Sequence, residues 1–130
     1  MLSLPVTLAA AAAAAIINIW LSIRIGQLRG KLKISIGDGG NEQLQRRMRA
    51  QLNFAENTPI VLILLAGVEM ARLGNPWLVY VGAAYSLGRV LHALGMDGGA
   101  LGIGRSIGTL VTMLTQIGLA VWAFAIITGY

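Results

Sequence analysis

The chain contains no cysteine, so several kinds of chemistry are closed to it. It has no disulfide framework, no thiolate nucleophile and no cysteine-based zinc site. A single histidine is a poor metal site, and we therefore expect no metal. Charge is also scarce: Asp, Glu, Lys and Arg make up 12% of the residues, against roughly 25% in ordinary soluble domains. Hydrophobic residues fill the place of the missing groups, at 56% of the total.

The few charges are mostly positive, and their placement argues against nucleic acid as a partner. Lys and Arg total 10 against 5 for Asp and Glu, which gives a net charge of +5. A basic chain can bind nucleic acid. Here, however, the basic residues sit at the ends of apolar runs, as they do in membrane proteins. The composition therefore indicates an all-α integral membrane protein surrounded by lipid, with no nucleic acid.

Four apolar runs separated by glycine-marked linkers predict one four-helix domain over residues 1–130. The first run could instead be a cleaved signal peptide, because its alanine tract offers cleavage sites. No Lys or Arg precedes the run and the run is long, so a retained helix is favoured. The predicted spans are Leu4–Arg24, Leu44–Leu73, Pro76–Met96 and Arg105–Ile127.

The basic residues also predict how the helices are oriented. Most of them lie around the first linker and Arg105 flanks the third, whereas only Arg72 lies near the second. Lys and Arg concentrate in cytoplasmic loops. We therefore expect the first and third linkers in the cytoplasm and both termini outside.

A polar stripe occupies the cytoplasmic third of the second span. Its members follow one another at spacings of three, four and three: Arg46, Arg49, Asn53 and Glu56. This spacing places them on one helix face. The apolar stretch that follows, Thr58–Val68, is too short to cross a bilayer, so part of the stripe must lie at membrane depth, where polar groups mark functional sites. A cation, an amide and a carboxylate on one face suit a zwitterionic ligand or, equally, an internal ion-pair network.

Two ion pairs are expected from the remaining charges of the spans. Arg89 and His92 share a face of the third span, and no acid of that span can pair with Arg89, so Glu56 is the candidate partner. Glu69 and Arg72, three residues apart near the outer interface, are expected to pair with each other or to snorkel to that interface.

The start of the fourth span carries two further signals. Arg105 follows a glycine-rich loop, where a guanidinium can anchor the helix in the cytoplasm or hold a ligand thiolate. Gly104 and Gly108, four residues apart, are typical of close helix packing in membranes.

The segment Arg49–Pro59 resembles the signature of the MAPEG family, the membrane-associated proteins in eicosanoid and glutathione metabolism. The signature reads R-A-x-x-N-x-x-E followed shortly by Pro, and here it is RAQLNFAENTP. The resemblance covers essentially the whole chain, including an R-x-x-H segment late in the third span. The segment Ile36–Asn41 before the signature is similar to the small bacterial branch of the family.

The resemblance implies a homotrimer that binds glutathione between neighbouring protomers and needs no metal. The implied activity is a glutathione transferase, with peroxidase activity as a variant, acting on a lipophilic small molecule from the bilayer. Arg105 matches the arginine that stabilises the glutathione thiolate, which makes it the catalytic candidate. Ser22 and Arg29 match positions supplied by the neighbouring protomer. The full set implied to bind glutathione is Ser22, Arg29, Arg49, Gln51, Asn53, Glu56, Arg89 and His92.

Two departures from the family pattern keep other functions open. Asn57 and Met96 stand where better-known members carry tyrosine, so two hydroxyls that could contact glutathione are missing. A non-catalytic membrane protein that uses the polar stripe for packing is one alternative. A small transporter is another, although no acidic residue precedes Arg24 in the first span, where such transporters usually place an essential carboxylate.

Overall fold

The computed structural model describes residues 3–130, which form an up-and-down bundle of four helices. The described part of the chain contains no strand. The helices are α1 (Pro5–Leu32), α2 (Glu42–Ala71), α3 (Trp77–Met96) and α4 (Ile103–Ile127), with a short 3-10 helix at Gly99–Leu101 before α4. The predicted all-helical fold with four helices is confirmed.

The first helix is longer than its predicted span, which ended at Arg24. It continues to Leu32 and ends at Lys33, whose left-handed backbone (φ 55°) terminates the helix. The extension is stable because Ile25 and Leu28, three residues apart, pack on Leu44 of α2 in a small buried cluster. Arg29 therefore lies within α1 and not in the linker.

Local sequence signals fix the start of the other helices. Asn41 caps α2, since its side-chain oxygen accepts a hydrogen bond of 2.9 Å from the backbone N–H of Leu44. Asn75 accepts a bond of 2.9 Å from the N–H of Trp77 at the start of α3. Gly102 precedes α4. The three later predicted spans thus coincide with α2, α3 and α4 to within about two residues, the usual uncertainty of helix ends.

Three of the helical segments are long and apolar enough to cross a membrane: α1, α2 and the segment from Gly99 to Ile127. The third helix is not among them. Its 20 residues include Arg89 and His92, which lower its mean hydropathy. Large apolar side chains are exposed along the outside of the bundle, for example Ile16, Ile63 and Phe124. Such a surface suits a lipid environment.

The bundle has two ends of different character. We call the basic end the part where α1 and α3 finish and α2 and α4 begin, with the linkers 33–41 and 97–102. The terminal end is the opposite one, with the linker 72–76 and residues 128–130. All Lys and Arg residues except Arg72 lie in the half of the bundle toward the basic end. An apolar cluster built on Val61, Leu65 and Leu78 fills the bundle toward the terminal end.

Candidate functional site

A groove of about 770 Å³ opens between α1 and α2 at the basic end. Its walls combine apolar groups such as Ile25 and Leu52 with polar side chains from both helices. Four residues implied to bind glutathione line it: Ser22 and Arg29 from α1, and Arg49 and Gln51 from α2.

Gln51 and Arg49 differ in how their polar groups are used. The amide nitrogen of Gln51 donates to Ser22 Oγ at 2.7 Å and to Asn18 Oδ1 at 3.3 Å, so it links α2 to α1. Arg49 is exposed, and no described residue forms an ion pair with it. Its guanidinium therefore has donors available for a carboxylate in the groove.

Arg29 lines the same groove but is already engaged. Its Nη1 donates to the carbonyl oxygens of Gly37 at 2.7 Å and Ile34 at 3.3 Å, and its Nη2 contacts Met48 Sδ at 3.6 Å. Arg29 thus fastens the linker 33–41 over the end of the groove. Arg29, which was predicted to bind glutathione, therefore also stabilises the conformation of this linker.

A second polar group lies inside the bundle, around Arg89. This side chain is 2% exposed. Its Nη2 donates to Asn53 Oδ1 at 2.7 Å and its Nη1 donates to Thr112 Oγ1 at 2.9 Å. One guanidinium therefore joins α2, α3 and α4, and the acceptors are an amide and a hydroxyl.

The expected ion pair between Glu56 and Arg89 is wrong. Glu56 is exposed, and no described basic residue pairs with it. The side of α2 that faces α3 and α4 follows a spacing of four, from Asn53 to Asn57. Asn57 accepts a bond of 2.8 Å from Gln116 of α4. Glu56, three residues after Asn53, is rotated about 60° from that direction and points out of the protomer.

Two buried nitrogen atoms near this group have no hydrogen-bond partner among the described residues: Arg89 Nε and His92 Nδ1. His92 is 4% exposed. Its backbone and Cβ lie against Gly108 of α4, where an added Cβ would collide with them. The interior of the bundle therefore keeps unused capacity to hydrogen-bond an acceptor.

Arg105 lies apart from both groups. It is exposed in the first turn of α4 and lines a separate groove of about 520 Å³ with Ser106 and Thr109. No described acid pairs with its guanidinium. The chain thus presents the predicted residues in three places: the α1–α2 groove, an interior group around Arg89, and the Arg105 guanidinium on α4.

Sequence comparison now identifies the family. The sequence model of the MAPEG family matches residues 7–125, nearly the whole chain. The chain belongs to the MAPEG family. It is also 32% identical over 75 residues to inner membrane protein YecN of Escherichia coli K12, and equally to YecN of Escherichia coli O6:H1. That stretch is 57% of this chain and 56% of YecN. The predicted family is thereby confirmed, and so is the prediction of a membrane protein with several membrane-spanning helices.

Sequence reasoning missed two polar contacts of this MAPEG protein. The first is at Glu69, which was expected to pair with Arg72 or to snorkel to the interface. Glu69 instead accepts bonds from the backbone N–H groups of Val6 at 2.8 Å and Thr7 at 2.7 Å, and from the Thr7 hydroxyl at 2.7 Å. Arg72 donates to the carbonyl of Tyr130. The signal was present, since the first turn of α1 has no acid and no side-chain cap of its own.

The second missed contact is at Asp97, the residue that follows α3. Its carboxylate accepts from the guanidinium of Arg24 in α1 and, at 3.3 Å, from Arg47 in α2. All inter-helix ion pairs among the described residues involve this one acid. No local pattern announces it, because its partners are 73 and 50 residues away in the sequence.

Proposed function

We propose that this protein is a membrane-bound glutathione transferase that conjugates the glutathione thiolate to lipophilic electrophiles. The observation that carries the proposal is the α1–α2 groove. It exposes Ser22, Gln51 and the unpaired guanidinium of Arg49 on one open face of the chain. By resemblance, Arg49 and Gln51 belong to the chain's own glutathione site and Ser22 to that of a neighbour, so this face would be where two protomers share the ligand. Family membership supports the reaction class.

The groove and its surroundings offer the groups that a zwitterionic tripeptide needs. Arg49 suits a glutathione carboxylate, and an amide such as Gln51 suits a peptide group. Glu56 is exposed and has no described partner, so it suits the ammonium group.

Arg105 supplies the chemical step in this proposal. Its charge favours the thiolate form of glutathione, which is the nucleophile. The sulfur forms a bond to the electrophilic carbon, and the leaving group departs with the bonding electron pair. Binding both reactants side by side lowers the entropic part of the barrier, and the step requires no metal. A lipophilic electrophile would reach the site from the bilayer along the exposed apolar faces of the helices.

The distribution of the site residues supports a homotrimer. In one protomer Arg105 sits in its own groove on α4, while Ser22 and Arg29 face the α1–α2 groove. A neighbouring protomer laid over that groove would complete the site with the residues of its own α2 and α4. The charge asymmetry supports an inner-membrane protein with the basic end in the cytoplasm and the termini outside.

The test is a titration of glutathione into the detergent-purified protein, followed by thermal stability. A ligand that binds only the folded protein stabilises it by about 2.7 kcal/mol at one hundred times its Kd. We expect a rise in midpoint for the wild type and for Arg72→Ala, a control arginine at the terminal end. Arg49→Ala should abolish the rise. Absence of any rise at millimolar glutathione in the wild type would contradict the proposal.

The chemical step is checked by the conjugation of glutathione to chlorodinitrobenzene, which releases chloride. Arg105→Ala should retain the glutathione-dependent rise in midpoint and lose about 10²-fold or more in rate, as removal of one oxyanion-stabilising donor does elsewhere. A rate equal to that of the wild type would remove Arg105 from the mechanism.

A non-catalytic MAPEG protein is the second candidate, and one observation favours it. Asn57, in place of tyrosine, points into the bundle and not to a ligand: its amide donates to the carbonyl of Asn53 at 2.8 Å and accepts from Gln116 at 2.8 Å. In that case no glutathione-dependent change would occur, and Arg105→Ala would leave every activity unchanged.

A further inference from the structure

The cluster at Asp97 contains the inter-helix ion pairs of the basic end among the described residues, and the proposed mechanism assigns it no task. Asp97 receives Arg24 from α1 and Arg47 from α2. The side chains of these two arginines are 11% and 19% exposed, and that of Asp97 is 27% exposed. Charges this far from water need partners, so the cluster is a specific contact and not a loose surface pair.

Each arginine of the cluster is held by further contacts. Arg24 donates from Nη1 to the carbonyl of Ala93 in the last turn of α3, at 3.3 Å, and its guanidinium carbon lies 4.8 Å from the ring centre of Trp20. Arg47 donates from Nη1 to the carbonyl of Arg24 at 2.9 Å. Three helices thus meet at one carboxylate.

Asp97 is also the only polar side chain of the linker 97–102, whose sequence is DGGALG. Gly98 and Gly99 have positive φ angles of 82° and 68°, and the hydrogen bonds of this linker run between backbone groups. Glycines leave a backbone free to adopt many conformations. The carboxylate of Asp97 is therefore the one side-chain anchor that this linker has to α1 and α2.

The anchored segment leads directly to Arg105. A Cβ added at Gly95 would collide with the backbone nitrogen of Arg105, so the start of α4 rests on the last turn of α3. Arg105 is therefore packed against the end of α3, and Asp97 joins that end to α2. Arg47, its partner there, is two residues before Arg49 of the groove.

We infer that Asp97, through Arg24 and Arg47, is a positioning residue that fixes the position of Arg105 relative to Arg49 on α2. Asp97 does not touch the ligand. Its contribution to catalysis rests on the proposed function, but its contribution to geometry does not. The two can therefore be tested separately.

The geometric test uses the absence of cysteine, which makes introduced labels unique. Spin labels at Gln43→Cys in α2 and Ser106→Cys in α4, both exposed positions, report the distance between the two helices. Labelled protein is diluted with unlabelled protein. We expect one narrow distance distribution for the parent and a broad or shifted one for Asp97→Asn, with Asp97→Glu restoring the parent distribution. An unchanged distribution for Asp97→Asn overturns the inference.

The matched control is Glu42→Gln, which removes the same charge at the same end of the bundle. Glu42 pairs with Arg46 within one helix, at 2.7 Å, and joins no other element. The parent distribution should therefore survive this change. If Glu42→Gln broadens the distribution as much as Asp97→Asn does, net charge and not the Asp97 contact controls the geometry, and the inference fails.

The catalytic test is the pH dependence of glutathione conjugation. If Arg105 moves away from the glutathione sulfur, the thiolate loses stabilisation and the pKa of the thiol rises. The acid limb of the pH–rate profile should therefore move to higher pH by about one unit in Asp97→Asn and not in Glu42→Gln. A broadened distribution with an unmoved acid limb overturns the positioning role. A wild type without conjugation activity contradicts the proposed function, while the distance measurement still decides the geometric part.

Discussion

The α3–α4 pair and the α1–α2 pair use glycine in opposite ways. Between α3 and α4, a Cβ at Gly95 would collide with Arg105 and a Cβ at Gly108 would lie 2.5 Å from the Cβ of His92. In α1, a Cβ at Gly26 would meet nothing within 4 Å, and the groove of about 770 Å³ runs beside it. The helices of the α3–α4 pair are in direct backbone contact, whereas those of the α1–α2 pair are separated by a groove at the basic end.

The difference follows from the lipid environment. Burying apolar surface between helices gains little when lipid is equally apolar, so tight association depends on close backbone approach through small residues. The α3–α4 pair has that approach and can hold Arg89, His92 and Arg105 in fixed positions. The α1–α2 pair lacks it at the basic end and leaves polar side chains accessible. We call the closely packed α3–α4 pair the frame, and the α1–α2 pair is the open part of the bundle beside the groove.

The largest effect on folding stability should come from adding a side chain where α3 and α4 touch. Gly95→Ala forces α3 and α4 apart, and overpacking of this kind typically costs about 1–3 kcal/mol. The clash is with backbone, which cannot rotate away, so we expect the upper end of that range. Gly67→Ala is the control, because nothing lies within 4 Å of its added Cβ and alanine favours the helix. The unfolding free energies of the two variants are compared in mixed micelles. Equal values would contradict the close packing of α3 against α4.

An intermediate effect should follow from removing an acceptor of Arg89. Asn53→Ala leaves the buried guanidinium without the bond of 2.7 Å, and hydrogen bonds to charged groups contribute about 1.5–3 kcal/mol. Glu56→Ala, on the outward side of the same helix, should change stability by less than about 0.5 kcal/mol. Denaturation without ligand compares the two. A larger loss in the Glu56 variant would mean that Glu56 is the true partner of Arg89.

The smallest effect on stability should come from the groove. Gln51→Ala removes exposed hydrogen bonds to Ser22 and Asn18, and we expect a loss below about 1 kcal/mol. The glutathione-dependent rise in melting midpoint should nevertheless decrease, because the groove loses an amide. Gln27→Ala, an exposed position of α1, should alter neither quantity. If the Gln51 variant is strongly destabilised but still shows the full glutathione-dependent rise, Gln51 serves helix packing and not ligand binding.

The helices could be predicted from the sequence because their signals are local. Apolar runs, the cap at Asn41 and the linker glycines lie close together in the chain, so three spans were placed to within about two residues. The end of α1 was misplaced because its last turns are held by Leu44, a contact between two helices. The close packing at Gly104 and Gly108 was also predictable, since a spacing of four is a property of one helix.

The pairing of the charges could not be predicted. Glu56 and Arg89 were each recognised as unusual, but the rotation of α2 in the bundle turns Asn53 inward and Glu56 outward. Glu69 was assigned to a neighbour three residues away and instead caps a helix that begins 64 residues earlier. Spacing shows which residues share a face of one helix. It does not show which face the next helix covers.

By itself, the sequence determined that this is a helical membrane protein of the MAPEG family with its positive charge gathered at one end. These properties depend on composition, periodicity and a short signature, all of which are local. The tertiary structure decided that Arg89 is satisfied by Asn53 and Thr112, and that Asp97 joins three helices. Such contacts depend on how whole helices rotate and slide against one another, and that is fixed only when the entire bundle packs.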